Sequence, residues 1–438
     1  MHIKLIVIEG PHEGKEFVFR EHDNFLVGRG SQAHFRLPNL DRFFSRLHFL
    51  VEVNPPNCRL LDLNSRNGTH VNNEKVLRAE LQDGDVIQAG KTLIRVSIQH
   101  ESESARRSTV DEMPFVDEPD LHSTIVPEPE ELPPEDCVAD GNKNGDLIGD
   151  LPTNYRELIA QQDQPIRGYE LIREVGRGSM GTVYLALRKR DQAVLAVKTL
   201  RPAVVSGSRE TQRFLREASV LERLRHKNIV SFREMGVSGG MLFFAMDYVP
   251  TENAHEIVRQ STAPFPIDRA VRITCQVLKA LEFAHAMGFV HRDVKPSNLL
   301  IVEQENCDLV KLADFGLARV YQESRLSGLT MTGEVGGTVP FMPPEQITDF
   351  RHAKPTADQY SVAATLYFLL CGKPVYDFPQ SASGQLMLIL QENPVPIQQR
   401  SADIPDQLAV IIHRALARDP ADRFKDVSEF YAALRRFK

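Results

Sequence analysis

Little in this chain ties it to an oxidising compartment, a bilayer or a polyanion. Its five cysteines (Cys58, Cys137, Cys275, Cys307, Cys371) are scattered, odd in number and never spaced C-x-x-C. That argues against a disulfide framework or a zinc site and fits a reducing cytoplasm. No uninterrupted apolar run reaches the roughly 18 residues of a transmembrane helix. The opening Met1-His2-Ile3-Lys4-Leu5-Ile6-Val7-Ile8-Glu9-Gly10 is charged too early for a secretory signal and reads as a β-strand. Lys and Arg total 52 against 59 Asp and Glu, a net charge of -7, so nothing draws the whole chain to nucleic acid or an anionic membrane. What remains is the composition of soluble globular protein, 42% hydrophobic and 25% charged. Spread over 438 residues, that exceeds one ordinary core and suggests two or three domains.

Three segments are expected. Residues 1–98 alternate short apolar runs (Glu16–Phe19, Phe25–Gly28, His48–Val53, Thr92–Ser97) with Gly, Pro and Asn, the pattern of an all-β sandwich. Residues 99–165 form an acidic, Pro-rich linker. Between Glu101 and Asp150 it carries fifteen acidic residues against three basic ones, too polar to offset the entropy of ordering, so a disordered segment is expected. A short helix is expected over Asn154–Gln162. Residues 166–438 begin with strand patterns (Tyr169–Val175, Val183–Leu187, Val194–Thr199). Amphipathic helical patterns follow at Arg209–Leu224, Arg269–Met287, Ala357–Leu370 and Gln407–Ala417. A strand-rich lobe followed by a helix-rich one implies a bilobal α+β fold with a cleft between its lobes.

The most informative string is His291-Arg292-Asp293-Val294-Lys295-Pro296-Ser297-Asn298. It places a carboxylate, an ammonium and a carboxamide within six positions, the groups phosphoryl transfer needs for aligning a hydroxyl, neutralising moving charge and binding a metal. Sixteen residues after Asn298 comes Asp314-Phe315-Gly316, a second candidate metal carboxylate. Upstream, Gly176-Arg177-Gly178-Ser179-Met180-Gly181-Thr182-Val183 fits a loop whose backbone approaches phosphates closely. A dinucleotide-binding loop is the competitor, but that loop opens a helix, whereas a strand pattern follows this one. Lys198, in Leu195-Ala196-Val197-Lys198, lies on the third strand pattern of the lobe.

These strings resemble the eukaryotic-type protein kinase family from about Gly168 onward. The resemblance implies Asp293 as catalytic base, Lys295 as stabiliser of the transferring group, and Lys198 with Glu217 as the activating ion pair. It implies ATP held by Gly176, Gly178, Gly181, Val183, Ala196, Lys198, Met246, Asp247, Val249 and Leu300. Asn298 and Asp314 would hold Mg²⁺, with Mn²⁺ as the alternative ion. Met246 corresponds to the gatekeeper, and Leu221, His291 and Phe315 to members of a hydrophobic spine. Asp358 would brace the catalytic loop, and Glu345 with Arg423 would form a buried ion pair. Lys295 and Thr338 match the serine/threonine subclass, so the acceptor is a protein Ser or Thr hydroxyl. Arg292 beside Asp293 calls for an anion, which phosphorylation at Thr330 or Thr332 would supply. The A-P-E motif reads Pro343-Pro344-Glu345 here, a departure outside the chemistry. A catalytically inactive scaffold is the rival reading, but such proteins usually lack one of Lys198, Asp293 or Asp314, and all three are present.

Gly28-Arg29, Ser45-Arg46-Leu47-His48, Asn67-Gly68-Thr69 and Val71-Asn72 together resemble the forkhead-associated (FHA) domain, a phosphothreonine-binding sandwich. The resemblance implies phosphate contacts from Arg29, Ser45 and Arg46, with Arg66 and Asn67 on the peptide and His48 structural. Asn73 stands where glycine is usual. Partners would be protein substrates and phosphothreonine peptides, including the chain's own linker phosphorylated at Thr109 or Thr124.

Overall fold

The computed structural model describes residues 2–37, 43–99, 166–178, 181–200, 219–238, 241–304, 308–315, 339–349 and 353–438. The expected helix at 154–162 and the linker threonines lie outside these residues.

The N-terminal part is a two-sheet sandwich. Its strands are β1 (His2–Glu9), β2 (Glu16–Phe19), β3 (Asp23–Gly28), β4 (Phe35–Arg36), β5 (Phe49–Asn54), β6 (Asn57–Asp62), β7 (Thr69–Val71), β8 (Glu74–Val76), β9 (Arg78–Leu81), β10 (Val86–Ala89) and β11 (Thr92–Gln99). One sheet runs β2-β1-β11-β10-β7-β8 and the other β4-β3-β5-β6-β9. Strand β1 follows the period-two rule: Ile3, Leu5 and Val7 are buried between half-exposed neighbours. These residues meet Phe25, Val27, Phe49, Val51 and Leu60 from the opposite sheet in one core. Strand β5 breaks the rule, because all six of its residues are buried. Its second face is therefore covered by something outside the sandwich.

The C-terminal part has two lobes. The first is an antiparallel sheet of β12 (Tyr169–Gly178), β13 (Gly181–Arg188), β14 (Ala193–Leu200), β15 (Phe232–Ser238) and β16 (Met241–Asp247), in the order β12-β13-β14-β16-β15. The second holds α1 (Ala254–Gln260), α2 (Ile267–Ala286), the hairpin β17 (Leu299–Val302) and β18 (Leu309–Leu312), α3 (Pro344–Thr348), α4 (Pro355–Cys371), α5 (Ala382–Gln391), α6 (Asp406–Ala415) and α7 (Val427–Leu434). Helix α4 is apolar nearly all round and buried from Ala357 to Leu370, as befits a central helix. It stops at Gly372, whose φ of 65° is the left-handed conformation that ends helices. Of the helix expected at Arg209–Leu224, only the last residues are described. Ser219–Arg223 form a 3-10 turn there rather than an α-helix, with Leu221 and Leu224 buried. No helix among the described residues is long and apolar enough to cross a membrane.

Candidate active site

The loop Gly176–Gly181 closes a hairpin: Gly176 pairs with Val183 and Gly178 with Gly181, and strand β13 continues from the turn. A strand therefore follows the glycines, as the sequence pattern requires. Strand β13 hands register to β14, setting Val183 opposite Lys198 and Leu185 opposite Ala196. Strand β14 in turn pairs Ala196 with Met246 of β16. One sheet thus carries the glycine loop, Val183, Ala196, Lys198 and Met246. Asp247 ends β16, bound by the Arg233 guanidinium (Nη2 to Oδ2, 2.9 Å). Leu300 lies on β17 of the other lobe, half-buried.

The catalytic-loop residues are fixed by the core beneath them. Asp358, fully buried on α4, accepts the backbone N–H groups of His291 (2.9 Å) and Arg292 (2.8 Å) and lies 2.7 Å from His285 Nε2. Burial works against that carboxylate's charge. The His285 bond, the charges of His285 and His291 and the Arg292 amide more than offset it and hold Asp358 below the usual carboxylate range. The His291 ring faces the Ala313 carbonyl at 3.0 Å and packs edge-on against Phe315, centroids 4.4 Å apart. That contact ties the catalytic loop to the segment bearing Asp314. Arg292 and Asp314 have left-handed backbones, φ 66° and 62°, conformations that non-glycine residues keep only where the surroundings impose them.

Five candidate side chains converge, three in a cluster at Asp293 and two as an ion pair. Lys295 Nζ lies 2.9 Å from Asp293 Oδ2, and Asn298 Nδ2 donates to the Asp293 backbone carbonyl (2.8 Å) and to Oδ2 (3.2 Å). Asp293 Oδ1 is buried with no hydrogen-bond partner among the described residues. Lys198 Nζ binds Asp314 Oδ2 at 2.7 Å. Burial pushes the Asp314 carboxyl up, but the charge and hydrogen bond of Lys198, with Lys295 and His291 behind it, bring it below the ordinary value. The expected Lys198–Glu217 pair lies outside the described residues, as do Thr330, Thr332 and Thr338. Behind Asp314 and Phe315, Leu221, Leu224, Phe244 and Met246 line an apolar cavity.

No group of three or more His, Cys, Asp or Glu among the described residues is placed to hold a metal. The two oxygen-donor residues the sequence points to, Asp314 and Asn298, lie on segments joined by the hydrogen bond of the Ala313 amide to the Asn298 carbonyl (2.8 Å). With Asn298 Nδ2 spent on Asp293, its amide oxygen is the atom left for a cation. Hard oxygen donors of this kind suit Mg²⁺ or Mn²⁺.

Two supports escaped the sequence reading. His285 reaches Asp358 from α2, and Gln346, fully buried on α3, donates from Nε2 to the Arg292 carbonyl at 2.9 Å. Both are ordinary helix residues in the sequence, and nothing in their spacing marks them. Glu345 and Arg423 meet as a bidentate pair at 2.6 and 2.9 Å.

At the sandwich's loop end, Gly28 is required by packing, because a Cβ there would lie 2.3 Å from the Arg46 carbonyl oxygen. Ser45 Oγ accepts the Arg66 amide at 3.0 Å, which leaves its own proton to donate. Arg29 Nε is buried with no hydrogen-bond partner among the described residues, while Arg46, Arg66 and Asn67 are exposed. Asn67 Nδ2 bonds the Phe43 carbonyl at 2.7 Å, so it ties two loops together. His48 is fully buried, accepting the Ser45 amide at Nδ1 (3.1 Å) and facing the Gly68 carbonyl through Nε2.

A bilobal fold with these groups in its cleft defines a phosphotransferase-like class. The protein kinase domain model matches residues 169–431, more than half of the chain, and the FHA domain model matches residues 25–90. The chain belongs to the protein kinase family, of the bacterial serine/threonine (Hanks) type, with an FHA domain ahead of the kinase domain. Among curated relatives, serine/threonine-protein kinase pkn3 of Myxococcus xanthus is 36% identical over 267 residues, 59% of this chain and 48% of its own length. PknJ of Mycobacterium tuberculosis is 34% identical over 267 residues, 60% of this chain and 44% of its own. The chain thus spans about half the length of the curated relatives it matches. A crystal structure of a double mutant of the Mycobacterium tuberculosis PknI kinase domain aligns at a TM-score of 0.51 with 28% identity, covering 63% of this chain and 98% of that one.

Proposed function

We propose that this chain transfers the γ-phosphoryl group of ATP to Ser or Thr hydroxyls of proteins in the cytoplasm. The observation that carries the reading is the Asp293 carboxylate, bonded through Oδ2 by Lys295 and Asn298 while its buried Oδ1 has no hydrogen-bond partner among the described residues. Asp293 receives the proton of the attacking hydroxyl, and Lys295 balances charge on the group in flight. Lys198 leaves Asp314 to bind the α- and β-phosphates, with Glu217 as its alternative partner. Asn298 and Asp314 would hold Mg²⁺ or Mn²⁺, which neutralises the phosphates when bound. Gly176, Gly178 and Gly181 let the backbone close over ATP, whose base would lie between Val183 and Ala196 above and Leu300 below, beside Met246, Asp247 and Val249. Thr330 and Thr332 are the proposed control sites, their phosphates neutralising Arg292.

The N-terminal domain binds phosphothreonine peptides through Arg29, Ser45 and Arg46, with Arg66 and Asn67 shaping the peptide path. Functional boundaries at 1–98, 99–165 and 166–438 go with this division of labour. Radiolabelled ATP with the full chain and its Asp293→Asn variant tests the chemistry. Incorporation should fall by about 10²- to 10⁴-fold. Equal incorporation by both proteins would remove Asp293 from the mechanism and return the scaffold reading.

A further inference from the structure

Strand β5 is buried on both faces because its sheet carries a second apolar surface. Leu26 of β3 stands opposite Leu50 of β5, and Leu50 opposite Leu61 of β6, in one row on the side away from the sandwich core. On a free-standing sandwich that face would be solvated and polar, and three aligned leucines would form an exposed patch. Here Leu26 and Leu50 are 0% exposed. The cover is the kinase domain: the row shares one apolar cluster with Ile347 of α3 and with Leu386 and Leu390 of α5. Two side chains also bond across the boundary, Asn24 Nδ2 to the Ile347 carbonyl (3.4 Å) and Gln32 Nε2 to the Leu390 carbonyl (3.2 Å).

The contact bears on catalysis through α3. A helix of five residues has no stability of its own, and its last carbonyls lack intrahelical partners. The FHA domain contributes to both needs, its leucine row sharing an apolar cluster with the buried Ile347 side chain and Asn24 donating to its carbonyl. The residue before it, Gln346, donates to the Arg292 carbonyl, and Arg292 immediately precedes Asp293 in a left-handed backbone that must be held from outside. The contacts therefore run without a gap from the sandwich's outer face to the candidate base.

We infer that the FHA domain braces the catalytic loop in cis. Its leucine row covers α3 and α5, and Gln346 is the positioning residue that transmits the support to Arg292. The catalytic consequence rests on the kinase reading above; the docking does not. The phosphopeptide-binding candidates Arg46, Arg66 and Asn67 stay exposed in the docked arrangement, so peptide binding and bracing are compatible.

The test uses the full chain carrying Leu50→Asp, a change on the outer face that leaves the sandwich core intact. Amide exchange over residues 344–348 and 291–298 should speed up, and kcat should fall roughly three- to thirtyfold. KM for ATP should stay unchanged, and Leu50→Met should restore both readouts. Should Leu50→Asp fail to fold, the Asn24→Ala, Gln32→Ala double variant removes only the two bridging bonds and should move exchange at 344–348 in the same direction. Unchanged exchange in a folded variant, unchanged kcat alongside it, or a rise in kcat would each overturn the brace. If the wild-type chain transfers no phosphate at all, the kinase reading fails while exchange at 344–348 still decides the docking.

Discussion

The two candidate sites on this chain hold their functional side chains differently. In the catalytic loop the backbone is held by buried side chains: Asp358 takes the His291 and Arg292 amides, Gln346 binds the Arg292 carbonyl, and Asn298 binds that of Asp293. At the FHA loop end side chains hold the frame too, His48, Ser45 and Asn67 bonding loop backbone beside contacts such as Arg29 N to Ser45 O and Gly30 N to Arg46 O. What differs is the functional side chains, since Arg46 and Arg66 stand in solvent. The difference follows from the tasks proposed for them. A base must meet a hydroxyl at hydrogen-bond distance, so its position has to be over-determined. A phosphopeptide brings its own charge and can be met by side chains that settle on arrival.

The contrast predicts that damage to the buried supports of the catalytic side costs stability, while damage to the phosphate-contacting side chains of the FHA side costs binding. The largest effect should come from Arg423→Leu, which leaves Glu345 without its bidentate partner. Losing one member of a buried pair costs about 3–5 kcal/mol, read as a lower denaturant midpoint in urea with the slope unchanged. A midpoint shifted no more than by a typical surface substitution would mean that solvent already screens the pair. The same side should be acid-sensitive. Asp358 and Asp314 are held below the aspartate value of 3.8, so the unfolded chain takes up protons before the folded one does. Their contribution is complete above that value and is lost as pH falls through the lower folded-state values. Wild-type and Asp358→Asn melting temperatures should therefore differ at pH 6 and converge as the solution is acidified below about 4. A gap constant across that range would show that Asp358 contributes no charge-dependent stability.

How much of this was legible beforehand depended on whether function sits in local strings. Asp293, Lys295 and Asn298 lie within six residues, and a loop that short leaves their side chains little choice but to meet, as the Lys295 and Asn298 contacts to Asp293 show. The glycine loop was equally readable, since a strand pattern behind it excluded the helix of a dinucleotide site and β13 stands there. Asp358 was reached only through family resemblance, being 65 residues beyond Asp293 in the sequence. His285 and Gln346 were not reached at all, because a buried polar residue on a helix looks like an exposed one until packing assigns the faces. The leucine row did leave a trace. Phe49-Leu50-Val51 in β5 is apolar at consecutive positions, where a half-solvated strand should alternate. Two of those residues serve the sandwich core and one serves the kinase lobe, a division that only register could reveal.

On the FHA side the predicted loss is smaller and of a different kind. Arg29→Ala should weaken binding of a phosphothreonine peptide to the full chain by about 10- to 100-fold. That corresponds to the roughly 1.5–3 kcal/mol typical of a hydrogen bond to a charged group. Its melting temperature should move little, because Arg29 Nε has no hydrogen-bond partner among the described residues. Calorimetric titration with phosphorylated and unphosphorylated forms of one peptide separates phosphate recognition from general affinity. Loss of stability equal to the loss of binding would make Arg29 a structural residue and erase the contrast.

The smallest effect tests whether the departure at Asn73 matters. Asn72 and Asn73 both take left-handed backbones, φ 50° and 70°, at the turn between β7 and β8. Asn72 is anchored, donating to Asp85 Oδ1 at 2.8 Å and accepting the Val86 amide at 3.0 Å. Replacing it with alanine removes both bonds and should cost about 1–2 kcal/mol. Asn73→Gly should behave differently. Glycine relieves the left-handed strain but gains freedom in the unfolded chain, and each effect is worth only about 0.4–1 kcal/mol. The two oppose one another, and asparagine tolerates this region better than most residues, so the net change should stay within about 0.5 kcal/mol. A gain well above that in urea unfolding would show that Asn73 strains the turn.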